Sequence, residues 1–426
     1  MKKTNHFCLL LCACTILCSC MSLSNKALYS KDKIVSCATP EEFYNALLGA
    51  IKSTRGGARA DAVGEFYAVA KQKGYEPICL ADGVVFLFDG TGRTVRSVEV
   101  RGDLNGWMGD SSYPKIPLAN IEGTSFYMSE VLPLDGSSRI DYKFVVNGSD
   151  WLLDDANKNV CYGGFGPNSE FCMPLYARSE WVGKRDVAHG KVAGSEIIFS
   201  KFLNYTVQYT VYLPAGYSAE KKYPLLVTTD GQEYSDEKLG DTCNTADNLI
   251  AAGRITPIVI VFVDPRNPEK ISENRRESQF CCNENYASFL ATELYNVILE
   301  KYAVEKDPAK TCILGTSLGG LNSAYTVLRH ADVFGLAAIQ SPAIWYLGYD
   351  NNVLLSLYQN ESRSAVKKIW IDAGTVYDTA VMARKFVSLL SSKGYENVSY
   401  HEFAEGHSWG SWKNRIPNIL MYFFAK

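Results

Sequence analysis

From residue 40 the apolar positions recur at helical spacing, with Phe43, Ala46, Leu47, Ala50 and Ile51 on one face. Thr39-Pro40-Glu41-Glu42 supplies an N-cap, a proline at the first helical position and two acids beside the positive helix end, so a helix is predicted to start here. Gly56-Gly57 interrupts the pattern, and Val63, Phe66 and Ala70 carry a second helix towards residue 74. Between Ile78 and Pro174 the texture changes to short alternating runs (84–88, 97–102, 125–128 and 140–148) punctuated by Gly, Asp and Asn, which predicts an all-β sandwich. A polar connection, Asp186 to Gly194, follows. Strand-like runs at 205–213, 223–229, 255–263, 311–314, 368–372 and 398–403 then alternate with helical ones such as 286–302. That alternation predicts a mostly parallel sheet covered on both faces, an α/β fold.

A chain of 426 residues exceeds what one hydrophobic core usually serves, in agreement with two domains meeting near 185–195. The apolar fraction of 47% is that of a packed globular protein, and a net charge of −3 gives no electrostatic case for binding nucleic acid. At the N-terminus, Met1-Lys2-Lys3 precedes an apolar run from Phe7 to Leu17, the length of a signal-peptide core and too short to span a bilayer. Leu17-Cys18-Ser19-Cys20 resembles the bacterial lipobox, so Cys20 is the expected lipid attachment point, with an ordinary signal peptide cut nearby as the alternative. The expected location is the cell envelope through a lipid anchor, or secretion. The chain then divides into a leader (1–20), a tether and helical segment (21–77), a β-sandwich (78–185) and an α/β domain (195–426). The eight cysteines after Cys20 lack the paired CxxC spacing of a zinc site or the density of a disulfide scaffold, so no metal is assigned. Cys161 and Cys172 are left as either a bridge across a loop or two thiols.

The run Thr311-Cys312-Ile313-Leu314 leads into Gly315-Thr316-Ser317-Leu318-Gly319-Gly320 and then a helix-compatible stretch. This is the G-x-S-x-G nucleophile elbow in its strand–turn–helix setting, the mark of an α/β-hydrolase, with Ser317 as nucleophile. A serine hydroxyl needs a base to take its proton in the transition state. Of the five histidines, His6 leaves with the leader, His189 lies in the connection, His330 ends the helix after the elbow and His401 sits in a strand. His407 remains, in a Gly-bearing loop after the last strand, where the third triad member belongs in the chain order Ser, acid, His. Between them, Ile371-Asp372-Ala373-Gly374-Thr375-Val376-Tyr377-Asp378 offers two acids. Asp378, in the loop beyond Gly374, is preferred; Asp372, on the strand, is the alternative or a support for the loop. The developing oxyanion needs two backbone donors: the amide of Leu318, and one from Asp230-Gly231-Gln232, by Gly231 or Gln232. No cofactor is required.

Two stretches of the sandwich, Gly102-Asp103-Leu104-Asn105-Gly106-Trp107 and Tyr142-Lys143-Phe144 through Trp151-Leu152-Leu153-Asp154-Asp155, resemble the immunoglobulin-like modules found beside starch- and glycogen-active enzymes. With Gly163-Gly164-Phe165-Gly166-Pro167-Asn168-Ser169-Glu170, Val211-Tyr212-Leu213-Pro214-Ala215-Gly216-Tyr217, Asn274-Arg275-Arg276-Glu277 and Cys282-Asn283-Glu284-Asn285-Tyr286, the chain from about residue 78 resembles the enterochelin-esterase-like family, which includes feruloyl and acetyl esterases. The resemblance implies an ester-hydrolysing triad and leaves the ester open. It also departs in one detail, since relatives place the acid one residue nearer Gly374 than Asp378. Arg276 matches the family's Arg-rich segment and is either a substrate contact or a salt-bridged brace. Trp107, Trp345 and Trp409 are candidate substrate-binding rings, as is Trp151, with core packing the commoner fate of such residues. The substrate classes implied are an acyl or aromatic ester of a carbohydrate or small molecule, or a catecholate siderophore trilactone. A carbohydrate-binding lipoprotein without catalysis is the reading from another class.

Overall fold

The computed structural model describes residues 31–108, 113–348 and 352–426. The leader, Cys20 and most of the tether lie outside the described residues. Two units emerge: the described residues up to Val160 with Pro167–Tyr176, and Cys161–Gly166 with Ala177–Lys426.

In the first unit, helix Pro40–Ser53 starts as its capping sequence dictates, with Thr39 Oγ1 accepting from the Glu42 amide at 3.2 Å. Helix Gly56–Lys73 begins at the glycine pair and stops at Gly74 in the left-handed region. Their apolar stripes (Phe43, Leu47, Val63, Phe66, Val69) share one core with Ile78, Val85, Leu87 and Phe126 from the strands and with Ile121 from a turn between strands. The helical segment is therefore packed onto the sheets through its apolar face. Strand Arg139–Val146 pairs antiparallel with Val98–Gly102, Asp150–Leu152 and Gly166–Cys172. On this sheet the rings of Trp107 and Trp151 lie nearly parallel, 6.5 Å between centroids and 20° between planes. Trp151 is exposed, with Arg101 over it at 5.4 Å, and Trp107 donates its indole N–H to Asp103 at 3.1 Å.

The second unit holds a nine-stranded sheet in the order Lys191–Val192, Tyr205–Leu213, Val259–Asp264, Leu225–Thr228, Thr311–Thr316, Leu336–Gln340, Lys368–Gly374 and Val398–Phe403, with Glu196–Ser200 also on Tyr205–Leu213. The six strands from Val259–Asp264 onward are parallel, and the early edge is antiparallel. The third strand starts at Val259, later than the sequence pattern suggests, because Pro257 cannot donate to the ladder. Alternate residues feed two cores. Ile313 packs among Leu321, Ala324 and Phe386, whereas Cys312 and Leu314 pack with Leu249, Ile416 and Leu420. Burial on both faces explains why these strands read as continuous apolar runs. The parallel arrangement gathers the loops after Thr228, Thr316, Gln340, Gly374 and Phe403 at one edge of the sheet, where ligands bind in open α/β folds.

Candidate active site

Ser317 joins strand Thr311–Thr316 to helix Leu318–Arg329 at φ 59°, ψ −119°, a conformation that costs a non-glycine residue energy and persists only where its surroundings fix it. Here they do. Its N–H donates to Gln340 O at 3.0 Å, and its carbonyl accepts from Leu321 N at 3.1 Å and Ala343 N at 2.9 Å. A Cβ on Gly315 would sit 2.2 Å from the carbonyl oxygen of Gly319, so the turn closes only with glycine.

His407 follows strand Val398–Phe403. Its Nε2 lies 2.9 Å from Ser317 Oγ and its Nδ1 lies 2.6 Å from Asp378 Oδ1, with the ring edge-on to Trp412. Asp378 is fully buried, and its second oxygen accepts from Ser341 Oγ at 2.6 Å and from the Gly374 amide at 2.5 Å. Burial alone raises this carboxyl. The charge and hydrogen bond of His407, the nearby Arg415 and the Ser341 hydroxyl outweigh it and hold the group below its ordinary value. Tyr377, the residue before the acid, stands at φ 46°. Asp372 lies elsewhere in the network: Arg415 Nη1 donates to its Oδ1 at 2.9 Å and Trp370 Nε1 to its Oδ2 at 2.8 Å. Burial raises its carboxyl, with Arg415 opposing.

The other three described histidines have other contacts. His189 lies against Asp247, His330 beside Ser288, and His401 on the ring of Trp370.

Asp230, at φ 52°, opens the short helix Gly231–Tyr234 directly beside the elbow, since Thr229 N donates to Leu314 O at 3.0 Å. Gly231 presses against the neighbouring strand, where a Cβ would meet the Phe262 carbonyl carbon at 2.2 Å. Leu318, Gly231 and Gln232 all stand in the first turn of a helix, where amide donors have no intrahelical acceptor. Arg276 Nε contacts both oxygens of buried Asp230, at 2.8 and 3.0 Å, and its Nη2 donates to Thr316 O at 3.3 Å. The guanidinium thus ties the Asp230 turn to the elbow, the arrangement of a brace.

Trp345 is exposed and packs edge-on to Tyr346. Trp409 corrects its sequence-based assignment as a substrate ring. It is buried at the start of helix Trp409–Phe424, donates to Glu233 Oε2 at 2.6 Å and packs on Tyr234 and Trp412, because the helix turns this position towards the core. Trp107 belongs to the first unit. The residues that sequence reasoning missed are Ser341, Arg415 and Glu405. Arg415 carried a signal: it is a lone cation on the face that also presents Trp412, Ile416, Ile419 and Leu420. Buried in that stripe, a cation needs carboxylate partners.

A mostly parallel sheet with a strained serine between strand and helix, and a histidine and an acid on later loops, is the arrangement of the α/β-hydrolase class. Residues 200–423 match the Esterase family model, more than half of the chain, and the protein belongs to that family. It is an ester-hydrolysing enzyme. Among its relatives is YjcH of Bacillus subtilis (strain 168), an uncharacterised protein 25% identical over 232 residues, covering 52% of this chain and 93% of that one. Another is an endo-1,4-β-xylanase/feruloyl esterase of Xylanibacter ruminicola, 22% identical over 293 residues, covering 66% of this chain and 38% of the relative. The ferric enterobactin esterase of Salmonella typhimurium superimposes with a TM-score of 0.68 over 80% of this chain and 93% of its own; at 17% identity that likeness concerns the fold.

Proposed function

We propose that this esterase is a serine carboxylic ester hydrolase working through Ser317, His407 and Asp378. The observation that carries the reading is the unbroken series from Ser317 Oγ through the imidazole to the buried carboxylate, 2.9 and 2.6 Å. Ser317 Oγ attacks the ester carbonyl while His407 Nε2 takes its proton. The tetrahedral oxyanion is held by the amides of Leu318 and of Gly231 or Gln232. His407 then returns the proton to the leaving alkoxide, and water, activated by the same imidazole, hydrolyses the acyl-enzyme. Asp378 holds the imidazole in the right tautomer and stabilises the imidazolium.

The substrate class we favour is an acyl or aromatic ester of a carbohydrate. We read residues 78–185 as an immunoglobulin-like, glycogen-binding-type module, whose Trp107 and Trp151, stacked on one another with Trp151 exposed, supply aromatic surface for a sugar ring. The feruloyl esterase function in the name of the Xylanibacter relative points the same way. A siderophore trilactone is the second reading, favoured by the likeness over 80% of this chain to the Salmonella enterobactin esterase. Residues 1–20 are read as a leader and Cys20 as lipid-modified, which puts the enzyme in the cell envelope. Hydrolysis of p-nitrophenyl acetate by the purified protein, followed by a panel of feruloylated, acetylated and catecholate esters, tests these readings. Turnover confined to the catecholate would displace the carbohydrate reading, and no turnover of any ester would remove the triad assignment.

A further inference from the structure

The loop after strand Leu336–Gln340 makes no part of the triad, yet it touches two of its members. Gln340 O and Ala343 N bond the two sides of the Ser317 peptide, while Ser341, between them, directs its hydroxyl to Asp378 Oδ2 at 2.6 Å. Ser341 stands at φ 36°, where a side chain is strained, and its N–H donates to Asp372 O at 2.7 Å. Arg415 Nη1 approaches the same hydroxyl oxygen at 3.3 Å, and Arg415 is fixed in turn by Asp372 Oδ1 at 2.9 Å and by Glu405 Oε2 at 2.6 and 2.9 Å.

The consequence follows from donor and acceptor counting. Arg415 has only donors, so it takes a lone pair of the Ser341 oxygen and the hydroxyl proton is left to point at Asp378. The Gly374 amide is the second donor on that carboxylate oxygen. With Oδ2 held by two donors, rotation of the carboxylate is blocked and Oδ1 is aimed at His407 Nδ1. From this geometry, and resting on the triad proposed above, we infer that Ser341 is a positioning residue that orients the Asp378 carboxylate, its own proton directed by Arg415. The groups that face the carboxylate are His407, Ser341, the Gly374 amide and Arg415, and behind Arg415 stand Asp372 and Glu405.

Two variants separate the hydroxyl from the backbone. Ser341→Ala removes the donor and keeps the strained turn; Ser341→Gly removes the donor and relieves the turn. On p-nitrophenyl acetate both are expected to lower kcat by roughly 10- to 100-fold, the worth of a hydrogen bond to a charged group, with KM within about 2-fold of the parent. The acid limb of the kcat/KM profile, which reports the Asp378–His407 pair as a unit, moves to higher pH in both, because a carboxylate that has lost a donor retains the pair's proton more strongly. A kcat within about 2-fold of the parent in either variant, or a fall without movement of the limb, overturns the inference. Failure of the triad itself is read separately: a fluorophosphonate probe that labels Ser317→Ala as fully as the parent removes Ser317 from its role, whatever Ser341 does.

Discussion

Replacing Asp378 with Asn changes one atom, and the surrounding hydrogen bonds dictate where that atom goes. The Gly374 amide can only donate, and the Ser341 hydroxyl is directed to donate by Arg415, so the oxygen they share must stay an acceptor. The new side chain therefore turns its carbonyl towards them and its amide towards His407 Nδ1. A donor at 2.6 Å from Nδ1 forces that nitrogen to accept, which moves the imidazole proton to Nε2, facing Ser317 Oγ. The base is then in the tautomer that cannot take the serine proton, and turnover falls by roughly 10⁴-fold, about 5.5 kcal/mol in the barrier, with KM nearly unchanged. Asp372→Asn has the opposite profile. Arg415 retains Glu405, but the Trp370 N–H and Arg415 then compete for one carbonyl oxygen, so about 1–3 kcal/mol of stability is lost while kcat falls less than about 10-fold. Turnover and KM on p-nitrophenyl acetate, with thermal melting of both variants, decide the matter. A large loss of turnover confined to Asp372→Asn, at an unchanged melting temperature, refutes the reasoning.

Ser317→Ala is expected to stay folded, to lose several orders of magnitude in turnover and to escape a fluorophosphonate probe that labels the parent. Replacing Cys20 is expected to move the protein from the membrane fraction to the soluble one at the same activity per molecule; equal detergent partitioning of the two forms removes the anchor. The Asp378 carboxyl is held below its ordinary value of about 3.9, so the unfolded chain binds that proton more readily. Its stabilisation is full above about pH 5 and is lost as pH falls through the lowered folded value, so melting curves against pH should show a steeper loss on acidification in the parent than in Asp378→Asn.

Ser317 was legible because the elbow is local: six consecutive residues and their flanking pattern specify it. His407 emerged by elimination among five histidines, each of whose sequence surroundings already suggested its fate. The acid stayed open between Asp372 and Asp378 because both fall within one strand and its following loop, and their difference lies in Arg415, 43 residues from Asp372 in the last helix. Trp409 misled for a related reason. Its neighbour His407 faces the site, but two residues on, the backbone has entered a helix that turns the ring inward. The helices at 40–53 and 56–73 were legible as helices from their caps and periodicity, while the core they share with the strands depends on contacts no local pattern encodes.

The buried charges near the triad explain why one arginine matters to both acids. The charge of Asp378 disfavours ionisation of Asp372, and in a dry interior a pair of unscreened carboxylates keeps a proton. A protonated Asp378 would be useless as the partner of an imidazolium. Arg415, fully buried, lowers both carboxyls, and Glu405 takes up its other nitrogens, so the guanidinium is held by acids on two sides. A buried ion cluster of this kind is a poor source of stability, since desolvation consumes much of the attraction. For the proposed triad its value is specific: Asp372 serves as the counter-ion that keeps Arg415 in place, while Arg415 favours the ionised Asp378 and directs the Ser341 proton inferred to aim it. The strand acid thus supports the loop acid through the arginine, which is why the two carboxylates, six positions apart, carry different work.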